Sequence, residues 1–199
     1  MPVLSRRQMI AGLSSVSALG LAGCATTPAR PTGPDPKFRR AEVPYETREK
    51  RGTIVVHPSE HFLYYVNGDG TAMRYGVGVG SEGMGWSGVA TVKSKQEWPD
   101  WYPTVETLQR KPDIIPHLIP LQSGTGMAGG PENPLGARAL YLWQGNKDTL
   151  YRIHGTNEPW TIGQNVSSGF IRMVNKDVVD LYNRTAVGSR VVVLPYSVG

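Results

Sequence analysis

From Thr53 to Val79 the chain alternates short β-branched and aromatic runs with turn residues, and that pattern decides the class of fold. Thr53-Ile54-Val55-Val56 and His61-Phe62-Leu63-Tyr64-Tyr65-Val66 are separated by Pro58-Ser59-Glu60. Such runs favour strands, because branched and aromatic side chains suit a pleated, half-buried surface. Asn67-Gly68-Asp69-Gly70 then supplies hairpin chemistry, since a type I′ turn needs positive φ at both central residues. Thr71 to Val79 returns as a strand, and further strands are predicted at Val89–Glu97, Ala139–Trp143, Thr149–Ile153 and Arg190–Leu194. One helix is predicted, with Asn175 as its cap and Asp177 in its first turn. Val178, Leu181 and Tyr182 form its apolar stripe, Arg184 lies near its end and Gly188 just beyond. The 24 glycines and 16 prolines also favour turns and short strands over a bundle. The expectation is a mainly β, sandwich-like domain with one or two short helices. The proline-rich stretch from Trp98 to Pro134 reads as irregular, a lid or wall of a site.

The first 24 residues read as an address. Ser5-Arg6-Arg7-Gln8-Met9-Ile10 opens an uncharged run that ends in Leu21-Ala22-Gly23-Cys24. A basic start, a short apolar stretch and a small-residue exit make a secretory signal, too short for a comfortable membrane span. The paired arginines resemble a twin-arginine export signal. The segment before Cys24 looks like a lipobox, in which the cysteine is lipidated and anchors the mature chain. Ala25 after the cysteine favours the outer membrane of a Gram-negative envelope, facing the periplasm. Residues 25–50, with Pro28, Pro31, Pro34, Pro36 and Pro44, read as a flexible, disordered tether, and 51–199 as the folded domain.

Several function classes are disfavoured. The net charge is +5, and removing Arg6 and Arg7 from residues 1–24, which carry no acid, leaves +3. That excess suits an anionic envelope polymer, and no basic stripe interleaved with aromatics points to nucleic acid. Cys24 is the lone cysteine, so neither an intrachain disulfide nor a cysteine-built metal site is expected. His57, His61, His117 and His154 are scattered, and Pro58 keeps the first two off one helix face, so no metal or other cofactor is expected. Gly78-Val79-Gly80-Ser81-Glu82-Gly83 matches a dinucleotide fingerprint, but Met84-Gly85-Trp86-Ser87-Gly88 cannot open the helix that fingerprint requires. A tight strand exit explains those glycines instead.

The informative stretch is Tyr151-Arg152-Ile153-His154-Gly155-Thr156, then Asn157-Glu158-Pro159-Trp160, then Ser167-Ser168-Gly169-Phe170-Ile171-Arg172-Met173. A histidine at a strand end followed by Gly-Thr, then Ser-x-Gly-x-x-Arg, resembles the catalytic region of the L,D-transpeptidase (YkuD) family. Phe62–Tyr65, Arg74–Gly80, Asn133–Leu142 and Val187–Val193 look like further blocks of that family, so the resemblance spans roughly residues 51–195. The family keeps a cysteine where this chain has Phe170.

The resemblance implies an L,D-transpeptidase-like β-sandwich acting on the stem peptides of peptidoglycan. In the family a cysteine thiolate attacks the carbonyl joining meso-diaminopimelate to terminal D-alanine, releases D-alanine and passes the acyl group to an amine. By position, His154 is the proton acceptor and the Gly155 carbonyl region orients it. Backbone amides at Gly169 and residue 170 form the oxyanion hole, and Arg172 holds a stem-peptide carboxylate. Ser168 and Trp160 join the substrate side. A plainer account makes His154 a core histidine, Arg172 a surface ion-pair partner, and the tryptophans Trp86, Trp98, Trp101, Trp143 and Trp160 packing residues.

Phe170 has no lone pair and no ionisable proton, so as written the chain is expected to be inactive. An unactivated Ser168 does not replace a thiolate, and Cys24 lies in the lipidated segment. Retention of His154, Gly155, Ser167, Gly169 and Arg172 favours a recent or engineered loss over a natural pseudoenzyme. The alternative from another class is a structural or regulatory envelope module without affinity for stem peptides.

Overall fold

The structure, a computed structural model, describes residues 33–80, 85–167 and 170–196; the export signal with Cys24 lies outside them, as do Ser168 and Gly169. The strands are β1 Ala41–Pro44, β2 Ile54–His57, β3 Phe62–Val66, β4 Thr71–Gly76, β5 Val79–Gly80 and β6 Gly88–Glu97. Helix α1 (Val105–Arg110) and the hairpin of β7 (Ile119–Leu121) and β8 (Gly124–Gly126) follow. Then come β9 Arg138–Gln144, β10 Lys147–His154, β11 Asn165–Ser167, β12 Ile171–Arg172, helix α2 Asn175–Arg184 and β13 Arg190–Val193. Nine strands form one sheet in the order β1-β4-β3-β2-β13-β6-β9-β10-β12. Its neighbours run antiparallel except β2 with β13 and β10 with β12.

Period-two alternation sorts the side chains. Ile54, Val56, Leu63, Tyr75, Val191 and Val193 point to one face, where they meet Leu140, Leu142 and Ile153 and the Val178 and Leu181 stripe of α2. Val55, Tyr64, Val66 and Ala72 form a smaller cluster on the other face. Each fully buried aliphatic chain contributes about 1.5–3 kcal/mol. This burial, more than intrinsic propensity, holds the ten residues of α2 in place. The mainly β expectation with few short helices therefore holds, with a single nine-stranded sheet as its main element.

Four local expectations are corrected. The 67–70 turn has positive φ at Gly68 and Gly70, on either side of Asp69, so it is a four-residue loop rather than a type I′ turn. Asp69 closes it by accepting from the Thr71 amide at 3.0 Å and hydroxyl at 2.6 Å. The stretch from 98 to 134 is not irregular, because it holds α1, a 3-10 turn at Pro112–His117 and the β7–β8 hairpin.

The disordered tether does not extend to residue 50. A 3-10 turn at Pro36–Phe38 places Phe38 in a buried cluster with Ile162 and Val174, and β1 pairs with β4 at the sheet edge. Tyr45 stacks on Tyr64 with ring centroids 4.5 Å apart, and Arg40 reaches Asp180 at 3.1 Å. Proline density concealed this, because an edge strand tolerates Pro44 and a single aromatic can anchor the segment.

Finally, Val174 rather than Asn175 caps α2, and the Asn175 side chain is used elsewhere.

Candidate active site

Three strand ends converge where β10 stops. His154, its last residue, pairs with Ala139 of β9 on one side and Arg172 of β12 on the other. The Met173 amide donates to the His154 carbonyl at 2.8 Å, and Gly78 and Arg172 exchange backbone hydrogen bonds at 2.9 and 2.8 Å. Sheet pairing therefore brings Arg172 beside His154, 18 positions earlier in the chain, and beside Gly78, 94 positions earlier.

His154 is 2% exposed. Its Nδ1 lies 2.6 Å from the Gly155 carbonyl oxygen. A carbonyl only accepts, so Nδ1 carries the proton and Nε2 presents a lone pair. Among the described residues Nε2 has no hydrogen-bond partner. The Phe170 ring stands edge-on to the imidazole, centroids 5.7 Å apart and planes at 79°. Burial first, and the Arg172 cation second, push the His154 pKa down to about 3. The backbone of Gly155, and more weakly that of Leu135, pulls the other way.

That shift carries a sign. An unfolded histidine takes its proton below about pH 6.5, whereas His154 in the fold stays neutral to about 3. Between those values the unfolded state binds the extra proton, so stability is lost as pH falls, by at most ~1.4 kcal/mol per pH unit. Urea midpoints between about pH 4 and 7 are expected to show this slope, and His154→Gln to flatten it. An equal slope in that variant would assign the effect to carboxylates instead.

The shell behind the histidine uses residues whose role the sequence did not reveal. Asn133 is 1% exposed and donates through Nδ2 to the carbonyls of Pro99, Met127 and Ala128, at 3.0 to 3.1 Å. Its Oδ1 accepts from the Leu135 amide at 2.8 Å. Asn133 thus ties the 98–134 segment to the chain entering β9. Asn175 Oδ1 accepts from the Ala137 amide at 2.9 Å, against the backbones of Gly136 and Gly155. An asparagine just before a polar helix start signals a cap; nothing local signals that it braces two glycines.

Arg172 is mostly buried, its side chain 18% exposed, and Nη1 donates to Glu158 Oε2 at 3.2 Å. Lys111 Nζ approaches the other oxygen of Glu158 at 3.4 Å. Gly78 lies between Arg172 and the Thr161 carbonyl, where an added Cβ would meet that oxygen at 2.8 Å, and Gly76 lies against Phe38. Both glycines are thereby explained by close packing. Trp160 is half-buried in the 3-10 turn at Pro159–Thr161, beyond Glu158. Gly169 and Ser168 lie outside the described residues. His57 bonds Tyr45 and His61 bonds Asn165, and the described residues hold no cluster of three metal-ligating side chains.

The YkuD family profile, described as the L,D-transpeptidase catalytic domain, matches residues 51–193. The chain is 36% identical over 152 residues to the probable L,D-transpeptidase ErfK/SrfK of Escherichia coli, covering 72% of this chain and 44% of that protein. It is 33% identical over 146 residues to the probable L,D-transpeptidase YbiS of the same organism, covering 69% and 43%. The chain thus spans less than half the length of these curated relatives. A Brucella melitensis structure described as a probable carnitine operon oxidoreductase is 51% identical, with a TM-score of 0.51, over 80% of this chain and 96% of that one. An L,D-transpeptidase from Mycobacterium smegmatis shares the fold with a TM-score of 0.50 at 15% identity, over 72% of this chain and 58% of that one.

Proposed function

The chain belongs to the YkuD family of L,D-transpeptidase catalytic domains, and from that premise we propose that it recognises peptidoglycan stem peptides without performing the family's acyl transfer. The observation that carries this reading is the His154 imidazole, oriented through Nδ1 by Gly155 with its Nε2 lone pair unpartnered among the described residues, beside the Phe170 ring. The orientation suits a proton acceptor, and the group beside it offers no nucleophile. Phe170 stands where the family's cysteine would attack, so proton transfer by His154 has nothing to activate. Arg172, a mostly buried cation at the same strand junction, is the group to hold a carboxylate of the stem peptide.

The description of the Brucella structure as an oxidoreductase is not carried over. Gly78, the first glycine of the dinucleotide-like run, lies against the Thr161 carbonyl and Arg172 instead. The N-terminal signal further supports export and lipidation at Cys24, which would hold the domain at the periplasmic face of the outer membrane.

The direct test is calorimetric titration of the full chain with a disaccharide tetrapeptide ending in meso-diaminopimelate–D-alanine. Saturable binding is expected, weakened at least about tenfold by Arg172→Gln, consistent with loss of a charge-assisted contact. No heat of binding, together with no retention on purified sacculi, would favour a structural or regulatory envelope module.

A further inference from the structure

Glu158 already occupies the cation that the proposed function assigns to substrate. Arg172 donates from Nη1 to Glu158 Oε2 at 3.2 Å, while Lys111 Nζ lies 3.4 Å from Glu158 Oε1. Exposure rises outward along this chain of charges, from 18% for the Arg172 side chain through 28% for Glu158 to 54% for Lys111. Glu158 is therefore the layer between the buried cation and solvent.

The backbone of Glu158 is held, but its side chain is not. Its amide donates to Thr156 Oγ1 at 3.0 Å, and its carbonyl accepts from Thr161 Oγ1 at 2.7 Å and from the Thr161 amide at 3.0 Å. None of these bonds uses the carboxylate, which can swing from Arg172 towards Lys111 by side-chain rotation alone. Arg172 meanwhile keeps a buried Nε with no hydrogen-bond partner among the described residues. Its donors are incompletely met by Glu158, which leaves capacity for a second or a better-placed carboxylate.

We infer that Glu158 is a built-in competitor for the Arg172 anion site, an affinity gate that a carboxylate-bearing stem peptide must displace onto Lys111. This rests on the stem-peptide reading above. With Glu158 in place, a neutral ligand gains nothing from Arg172, because removing Glu158 would strand a buried cation. A ligand carboxylate replaces one anion by another and keeps the guanidinium paired. The gate therefore lowers affinity for carboxylate ligands, which must displace Glu158, and leaves neutral ones, which gain nothing from Arg172, nearly unchanged.

The test is calorimetry on the full chain, comparing it with Glu158→Gln and Arg172→Gln. The probes are the disaccharide tetrapeptide and the same peptide with every carboxyl amidated. Glutamine keeps the length of Glu158, and the Thr156 and Thr161 bonds are to backbone atoms, so the turn is preserved. Glu158→Gln is expected to bind the carboxylate form about tenfold more tightly, as removal of a close charge pair allows. The amidated form should change less than about twofold. If Arg172→Gln weakens binding but Glu158→Gln leaves it unchanged or weaker, the gate is wrong and the stem-peptide reading stands. If no variant binds, or Arg172→Gln changes nothing, the stem-peptide reading falls and takes the gate with it.

Discussion

Changing Phe170 to cysteine is expected to turn a chain that leaves the tetrapeptide intact into one that releases D-alanine and carries an acyl group on residue 170. The imidazole that this chemistry would use already stands beside residue 170. His154 has its Nδ1 proton bound by the Gly155 carbonyl, so Nε2 is the basic nitrogen and no tautomer change is needed. A thiol at 170 would take the place of the ring now edge-on to the imidazole. Nε2 would accept the thiol proton, and the thiolate would attack the carbonyl carbon between meso-diaminopimelate and D-alanine. The carbon–nitrogen bond then breaks, the proton passes to the departing amine, and a thioester is left for an acceptor amine or water. Removing the nucleophile of a covalent enzyme typically costs four to six orders of magnitude, so a gain of roughly 10⁴-fold or more is expected on restoring it. Mass spectrometry of the peptide containing residue 170 checks the adduct. The Phe170 chain, which still holds Cys24, controls for reaction at that thiol. A folded Phe170→Cys chain that forms no adduct, or a Phe170 chain that itself releases D-alanine, would remove the basis for this mechanism.

The parts of this molecule that were readable from sequence are those set by local rules. β2, β3, β6 and β13 alternate with period two, and their predicted bounds lie within a residue or so of those observed. β10 begins earlier than predicted, at Lys147, and within it Leu150 takes a left-handed φ of 62° where the register with β9 shifts. A β-bulge of this kind has no composition signature at leucine. The pairing of His154 with residue 170 was legible from spacing and resemblance. The partners of that pair were not, because each depends on chain brought in from far away. Phe38 finds Ile162 and Val174 across more than a hundred residues, and Glu158 finds Lys111 across 47. Asn175 shows the limit most clearly. Read as the cap of α2, it is instead the first helical residue, and its side chain bonds Ala137, 38 positions away, which only the tertiary fold could decide.

That same brace makes Gly136→Ala a strongly damaging substitution. Gly136 has a φ of +63°, and a Cβ there would lie 2.5 Å from the Thr156 amide nitrogen and 2.6 Å from the Gly155 carbonyl carbon, besides striking Asn175 Oδ1. Two of those neighbours are backbone and cannot rotate away. A left-handed φ at a non-glycine residue costs about 1–3 kcal/mol, and displacing a packed backbone brings the expected loss to about 4 kcal/mol. For a domain of this size that is a fall in Tm of roughly 8–16 °C. Gly145→Ala isolates the two contributions. Gly145 has a φ of +56° but no atom within 4 Å of the added Cβ, so it carries the backbone strain without the collision. It should lose only about 1 kcal/mol. The collision also falls on the residue that orients the His154 ring, because the Gly155 carbonyl is what holds His154 Nδ1. In a Phe170→Cys background, Gly136→Ala should therefore reduce acyl-enzyme formation even at temperatures where the variant is fully folded, whereas Gly145→Ala should not. Equal losses of stability in the two alanine variants, with equal acylation, would mean that Gly136 is a turn glycine only and that the Asn175 brace does not position the histidine.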